Sequence, residues 1–152
     1  MEISAEAVKE LREKTGVSVM DCKKALVEAE GDMQKALELL RERAALTVGK
    51  KADRTLGAGA VGVYVHNNVM AASVALSSET DFVAKNEEFI ALARDIAMHV
   101  SAMQPENVEA LLLQPYIKDE SKTIQDLLSA ATHKFGERIE VSGMSLLFAT
   151  RK

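Results

Sequence analysis

The spacing of apolar residues changes once along the chain, and that change restricts the fold to two kinds of structure in series. Up to about residue 45 the apolar side chains recur at helical spacing: Val8 with Leu11, then Cys22, Ala25, Leu26 and Ala29, then Met33, Ala36, Leu37 and Leu40. Each run carries a start signal. Ser4, Ser18 and Asp32 stand at N-cap positions, Ser18 and Asp21 fit a capping-box pattern, and Ile3 and Val8 are spaced as a hydrophobic staple. Gly16 and Gly31 supply the stops. Residues 1–45 therefore read as a miniature three-helix bundle, near the ~40-residue lower limit for folding alone.

After Gly59 the period becomes two. Val61, Val63 and Val65 alternate with Gly62, Tyr64 and His66, Asn67-Asn68 suits a tight hairpin turn, and Val69 to Ser77 forms the return strand. A long helix follows. Asn86 caps it, Glu87 and Glu88 complement its N-terminal dipole, and Phe89, Leu92, Ala93, Ile96, Val100 and Met103 line one face. Residues 105–113 read as a short helix. Thr123 and Asp126 open another, with Ile124, Leu127, Leu128 and Ala131 as its stripe. Residues 138–148 form a last strand whose alternation slips near Gly143, the mark of a bulge. Residues 60–152 are thus an α+β unit, a small antiparallel three-stranded sheet packed with helices on one face. Between the two units, residues 46–59 read as a linker rich in glycine and charge. From Arg41 to Arg54 five cations face two anions, a basic hinge in a chain whose net charge is −4.

Composition narrows the function. With 47% hydrophobic and 28% charged residues, the 152-residue chain is neither disordered nor fibrous. Its mild acidity argues against a general phosphate-backbone binder, and 4% aromatics with no Trp against a stacking platform for single strands. No direct nucleic-acid partner is expected. A single Cys excludes an internal disulfide and a multi-thiolate zinc site, and points to a reducing compartment. No apolar run reaches the ~20 residues of a membrane helix, and the acidic helical start lacks the pattern of a signal peptide. The expectation is a cytoplasmic protein with no membrane partner.

Few residues carry a pattern for chemistry. Gly57, Gly59 and Gly62 match G-x-G-x-x-G, but the string follows a linker and opens a strand, whereas a dinucleotide fingerprint follows a strand and opens a helix. His66, His99 and His133 fall on separate elements without thiol partners, so no metal site and no cofactor is expected. His99 lies off the stripe of its helix and reads as exposed or half-buried, with a partner contact as the alternative. Cys22 reads as a small buried hydrophobe and the methionines as core filler. The stretch from Glu79 to Asn86 stands apart. Phe82 is out of register with the stripe that begins at Phe89, in an acidic polar turn. It either folds back onto the sheet or stands out as an aromatic anchor for a partner.

Two motifs then bear on identity. Leu11-Arg12 with Thr15-Gly16 and Met20-Asp21-Cys22-Lys23-Lys24-Ala25-Leu26 resembles the N-terminal signature of the translation elongation factor Ts family. The run from Thr80 through Asp81, Phe82, Val83, Ala84 and Lys85 to Asn86 resembles that family's second signature, in the expected order. The resemblance covers residues 1–104 and resumes at Ser121-Lys122-Thr123. It implies a bundle similar to ubiquitin-associated domains. It also implies a guanine-nucleotide exchange factor that binds elongation factor Tu, GDP-bound and nucleotide-free, with no covalent chemistry and no catalytic residue of its own.

By that resemblance Asp81 and Phe82 press between helices of the nucleotide-binding domain of Tu, with Thr80 and Val83 completing the motif, and disturb the magnesium and phosphate site. Arg12, Met20, Asp21, Lys23 and Lys24 of the first signature, Lys51 of the linker and His99 are further candidate contacts. Longer family members carry two related core halves and a coiled-coil insertion. Here the segment after Met103 is too short for one, and the resemblance to compact members implies a homodimer. A ubiquitin-associated-like binding module without exchange activity is the alternative. A dinucleotide-dependent oxidoreductase rests on the glycine string alone.

Overall fold

The computed structural model describes residues 2–150; Met1, Arg151 and Lys152, at the outer ends of the two expected units, lie outside the described residues. Three helices come first, α1 (Ala5–Thr15), α2 (Val19–Glu28) and α3 (Met33–Lys50). Their caps are those the sequence marks. Ser4 accepts from the Ala7 amide, Ser18 from Asp21, and Asp32 from Gln34 and Lys35. Gly16 ends α1 in the left-handed region at φ 73°, and its amide returns to the Arg12 carbonyl. Leu11, Cys22, Ala25, Leu26 and Ala36 are fully buried between the helices, where the alanines allow close approach. Burial pushes the Cys22 thiol upward in pKa, although the Thr15 hydroxyl opposes this.

The α+β unit contains β1 (Ala58–His66), β2 (Met70–Ser78), α4 (Asp81–Ala84), α5 (Glu87–Met103), α6 (Val108–Leu113), β3 (Pro115–Tyr116), β4 (Asp119–Thr123), α7 (Ile124–Phe135) and β5 (Glu140–Phe148). The main sheet has the order β1-β2-β5 and is antiparallel throughout. Asn67 and Asn68 make the hairpin turn with φ of 48° and 59°, the double positive value that a two-residue turn of this hand requires. The register against β2 shifts at Ala75/Leu76, where β5 passes from Gly143 to Val141, so the bulge falls beside Gly143. On one face of the sheet Ala72, Val74, Leu76 and Val141 pack against Phe89, Ala93, Ile96 and Val100 of α5. Thr123 and Asp126 form the full capping box of α7.

Several expectations need correction. α3 runs on to Lys50, five residues into the expected linker. Tertiary partners hold this end. Arg41 bonds both oxygens of Asp126 on α7, and the Thr47 hydroxyl lies 2.9 Å from His133 Nδ1. The β3–β4 hairpin was not foreseen, because Asp119–Thr123 is polar throughout and shows no alternation. The methionines fill the core only in part: Met33 and Met144 are partly buried and pack against the two cores, whereas Met20 and Met103 are exposed.

The three valines of β1 point away from the helices, at 66%, 52% and 55% exposure for Val61, Val63 and Val65. The inward positions of β1 are Ala58, Ala60, Gly62 and Tyr64, and at Gly62 the backbone of α5 crosses too closely for any side chain. A Cβ on Gly62 would stand 2.2 Å from the carbonyl carbon and oxygen of Ala93. A Cβ on Gly59 would stand 2.6 Å from the Leu76 carbonyl oxygen. Two of the three glycines of the string thus have a packing reason.

Candidate functional site

The turn that carries Phe82 is built from the end of β2. Ser78, fully buried, donates its hydroxyl to the Thr80 carbonyl at 3.1 Å. Thr80 is extended and its Oγ1 accepts from the Val83 amide, which caps the single turn α4. Val83 and Ala84 are buried in the core. Successive helical residues lie about 100° apart, so with Val83 and Ala84 facing inward the side chain of Phe82 faces out. It is 86% exposed, the most exposed large apolar side chain among the described residues. The alternative in which Phe82 folds back onto the sheet is overturned. Asp81 is exposed beside it. Val83 anchors the turn from below and presents no free surface.

A second chain segment grips this turn. Oε1 of Glu137 accepts from the amides of Glu79 at 3.1 Å and Thr80 at 3.0 Å, and Oε2 accepts from the Thr80 hydroxyl at 2.7 Å. In return Glu79 Oε2 accepts from the Arg138 amide at 2.5 Å, and its Oε1 pairs with Arg54 at 3.3 Å. Arg138 closes the ring by donating to the Arg54 carbonyl at 2.6 Å. Burial would raise the pKa of Glu79, but the Arg138 amide and the nearby Arg54 and Lys51 charges together hold it below the ordinary carboxylate value. Glu137 and Arg138 were not singled out from the sequence. Glu137 follows Gly136, which stops α7, where no periodicity marks a residue, and Arg138 falls in the expected strand 138–148 although β5 begins only at Glu140.

The first-signature residues lie on the bundle. Arg12 and Lys23, with Lys9, flank a shallow groove lined by Ile3, Ala5, Val8 and Val19. Met20 is 66% exposed, and Lys24 is exposed. Asp21 is only half-exposed: its carboxylate lies 3.6 Å from Nε2 of His133 on α7, so it faces its own chain. Lys51 caps the C-terminus of α3 and is half-buried.

His99 is not at the surface of α5, exposed or half-buried, as its place off the apolar stripe predicts. It is fully buried, with no surface to offer. Nδ1 accepts from the Ile117 amide at 3.3 Å, which places the ring proton on Nε2, 2.8 Å from Gln114 Oε1. Burial lowers its pKa, more than the Gln114 bond raises it. It ties α5 to the β3–β4 hairpin. Among the described residues no three His, Cys, Asp or Glu gather as metal ligands would, and no helix is long and apolar enough to cross a membrane.

Fold and site together define a small α+β protein with a helical bundle in front and one clamped turn presenting an aromatic. The family model described as Elongation factor TS matches residues 79–151, the segment that begins at this turn. Elongation factor Ts of Alkaliphilus oremlandii is 38% identical over 186 aligned positions, covering 93% of this chain and 86% of that protein. That of Desulforamulus reducens is 39% identical, covering 92% and 86% respectively. The protein of that name from Streptococcus pyogenes is 47% identical over 98% of this chain, which spans 42% of that longer relative. The chain belongs to the elongation factor Ts family.

Proposed function

We propose that this protein is a guanine-nucleotide exchange factor that binds elongation factor Tu carrying GDP and promotes GDP release in the cytoplasm. The observation that carries the reading is Phe82, an aromatic ring held out in solvent on a turn fixed by hydrogen bonds from two segments. Exposing such a ring removes apolar contact that its own core could use, and aromatic anchors of this kind dominate binding energy at interfaces. Pressed between helices of Tu, a rigid ring favours a nucleotide-free arrangement of the partner. By linkage the factor weakens GDP to the extent that GDP weakens the factor, with no bond made or broken. Asp81, exposed beside the ring, competes for the polar groups around the partner's magnesium. The groove edged by Lys9, Arg12 and Lys23, with Met20 beside it, is a second contact in which the bundle docks on Tu. Release of fluorescent GDP from purified Tu tests the reading. The factor should accelerate it; binding to Tu without acceleration would leave a docking module in its place.

The reading includes a homodimer. The face of the sheet away from α5 is uncovered, and Val61, Val63, Val65 and Leu147 are exposed on it around Ala71 and Ala75. Its serines satisfy one another across the strands, Ser73 with Ser145 at 2.5 Å and Ser77 with Ser142 at 2.7 Å. Only its end carries charge, Glu140 opposite Ser77 and ion-paired with Arg138, and a second copy meeting the apolar remainder by two-fold symmetry would bury like against like. Val63→Lys should convert a dimer into a monomer by light scattering, and its melting temperature should no longer rise with protein concentration. A wild-type chain that stays monomeric at every concentration would refute the dimer.

A further inference from the structure

We infer that Glu137 is a positioning residue for exchange, and that its carboxylate sets the direction in which Phe82 points. The inference rests on the exchange reading above and adds a residue to it. The paired ladder between β2 and β5 ends at Ser77 opposite Glu140. Beyond it the two strands diverge, and side chains replace the backbone as partners. Glu137 takes the amides of residues 79 and 80, while Glu79 takes the amide of Arg138. The two acids thus form a reciprocal staple across the mouth of the sheet.

The third bond matters most. Because Glu137 Oε2 receives the Thr80 hydroxyl proton, a lone pair of Oγ1 is left to face the Val83 amide. The carboxylate therefore fixes the rotamer of the cap, the cap fixes the start of α4, and the start of α4 fixes the side from which Phe82 leaves. Bonds from amide and hydroxyl donors to an ionised carboxylate are stronger than neutral ones, and this carboxylate receives three. Glu137 touches neither Phe82 nor, in this reading, the partner. It acts through Thr80.

Glu137→Ala and Glu137→Gln in the full chain test this, with two measurements on each. The first is hydrogen exchange at the amides of Glu79 and Thr80, which does not depend on the partner. The second is GDP release from Tu as a function of factor concentration. In Glu137→Ala both amides should exchange at least about tenfold faster. The maximal release rate should fall by about the same factor, while the half-saturating concentration, set largely by the bundle, changes less. Glu137→Gln keeps an oxygen for the two amides, so it should restore most of their protection and much of the rate. It also serves if the alanine variant fails to fold. Unchanged protection in both variants would overturn the staple. Lost protection with an undiminished maximal rate, where Phe82→Ala slows release strongly, would overturn the positioning role. Full activity of Phe82→Ala itself would mark failure of the exchange reading's wedge, and the positioning role would fall with it, while the amide measurement would still report on the staple.

Discussion

Phe82→Ala should slow GDP release from Tu by about two orders of magnitude and leave the melting temperature within a degree or two of the parent. The first half follows from the size of aromatic hot spots, for which truncation costs roughly 2–4 kcal/mol, or about 30- to 1,000-fold. The second half follows from exposure. At 86% accessible, the ring contributes almost nothing to the core of its own chain, and the turn beneath it is held by Val83, Ala84 and the Thr80 cap. A variant that unfolds would show that the ring is structural. A variant that folds and retains the full rate would move the exchange mechanism to another surface. The comparison is sharp because stability and activity are expected to separate completely at this residue.

The second large effect is expected at Gly62, and it runs the other way. Gly62→Ala should destabilise the fold by about 3 kcal/mol or more, since overpacking against backbone leaves no flexible side chain to yield. The atoms at 2.2 Å belong to the carbonyl of Ala93, in the middle of α5. Relief requires the helix to lift from the sheet. For a chain of this size a loss of that order lowers the melting temperature by roughly 10 °C. Gly49→Ala is the control: an added Cβ there meets nothing within 4 Å, and the residue lies inside α3. It should gain a few tenths of a kcal/mol up to about 1. Thermal melts of the two variants check both signs. Equal melting temperatures for Gly62→Ala and the parent would show that α5 can move freely over β1.

Much of the architecture was legible because local and long-range signals agree. The caps at Ser4, Ser18, Asp32, Asn86 and Thr123 are formed by the hydroxyl, carboxylate and amide groups that mark helix starts in the sequence. The hairpin at Asn67-Asn68 follows from residues that tolerate positive φ. What escaped was set by contacts distant in sequence. The last turn of α3 contains Thr47, Val48 and Gly49, poor helix formers that persist where α3 packs on α7. The inward face of β1 could not be chosen from its alternation. Valine is the obvious core residue, yet the inward positions hold Ala58, Ala60, Gly62 and Tyr64, with glycine where the backbone of α5 comes nearest.

At the candidate site the sequence marked Phe82 as out of register with the helix after it but left its direction open. The direction depends on Val83 and Ala84 facing the core and on Glu137 gripping Thr80. His99 was misjudged for a related reason. Its place beside the stripe of α5 suggested a margin, and the β3–β4 hairpin covers that margin through Ile117. A hairpin invisible to periodicity turned a surface position into an interior one.

The staple at the mouth of the sheet also fixes when the turn can exist. Its bonds join residues 57 to 59 positions apart. As the chain leaves a ribosome at roughly 5–20 residues per second, Thr80 emerges seconds before its acceptor. During that interval the bundle has all its residues and can close its own small core, but the ring-bearing turn lacks half of its hydrogen bonds. The Phe82 turn is therefore finished only after Glu137 and Arg138 emerge, seconds after the residues of the bundle.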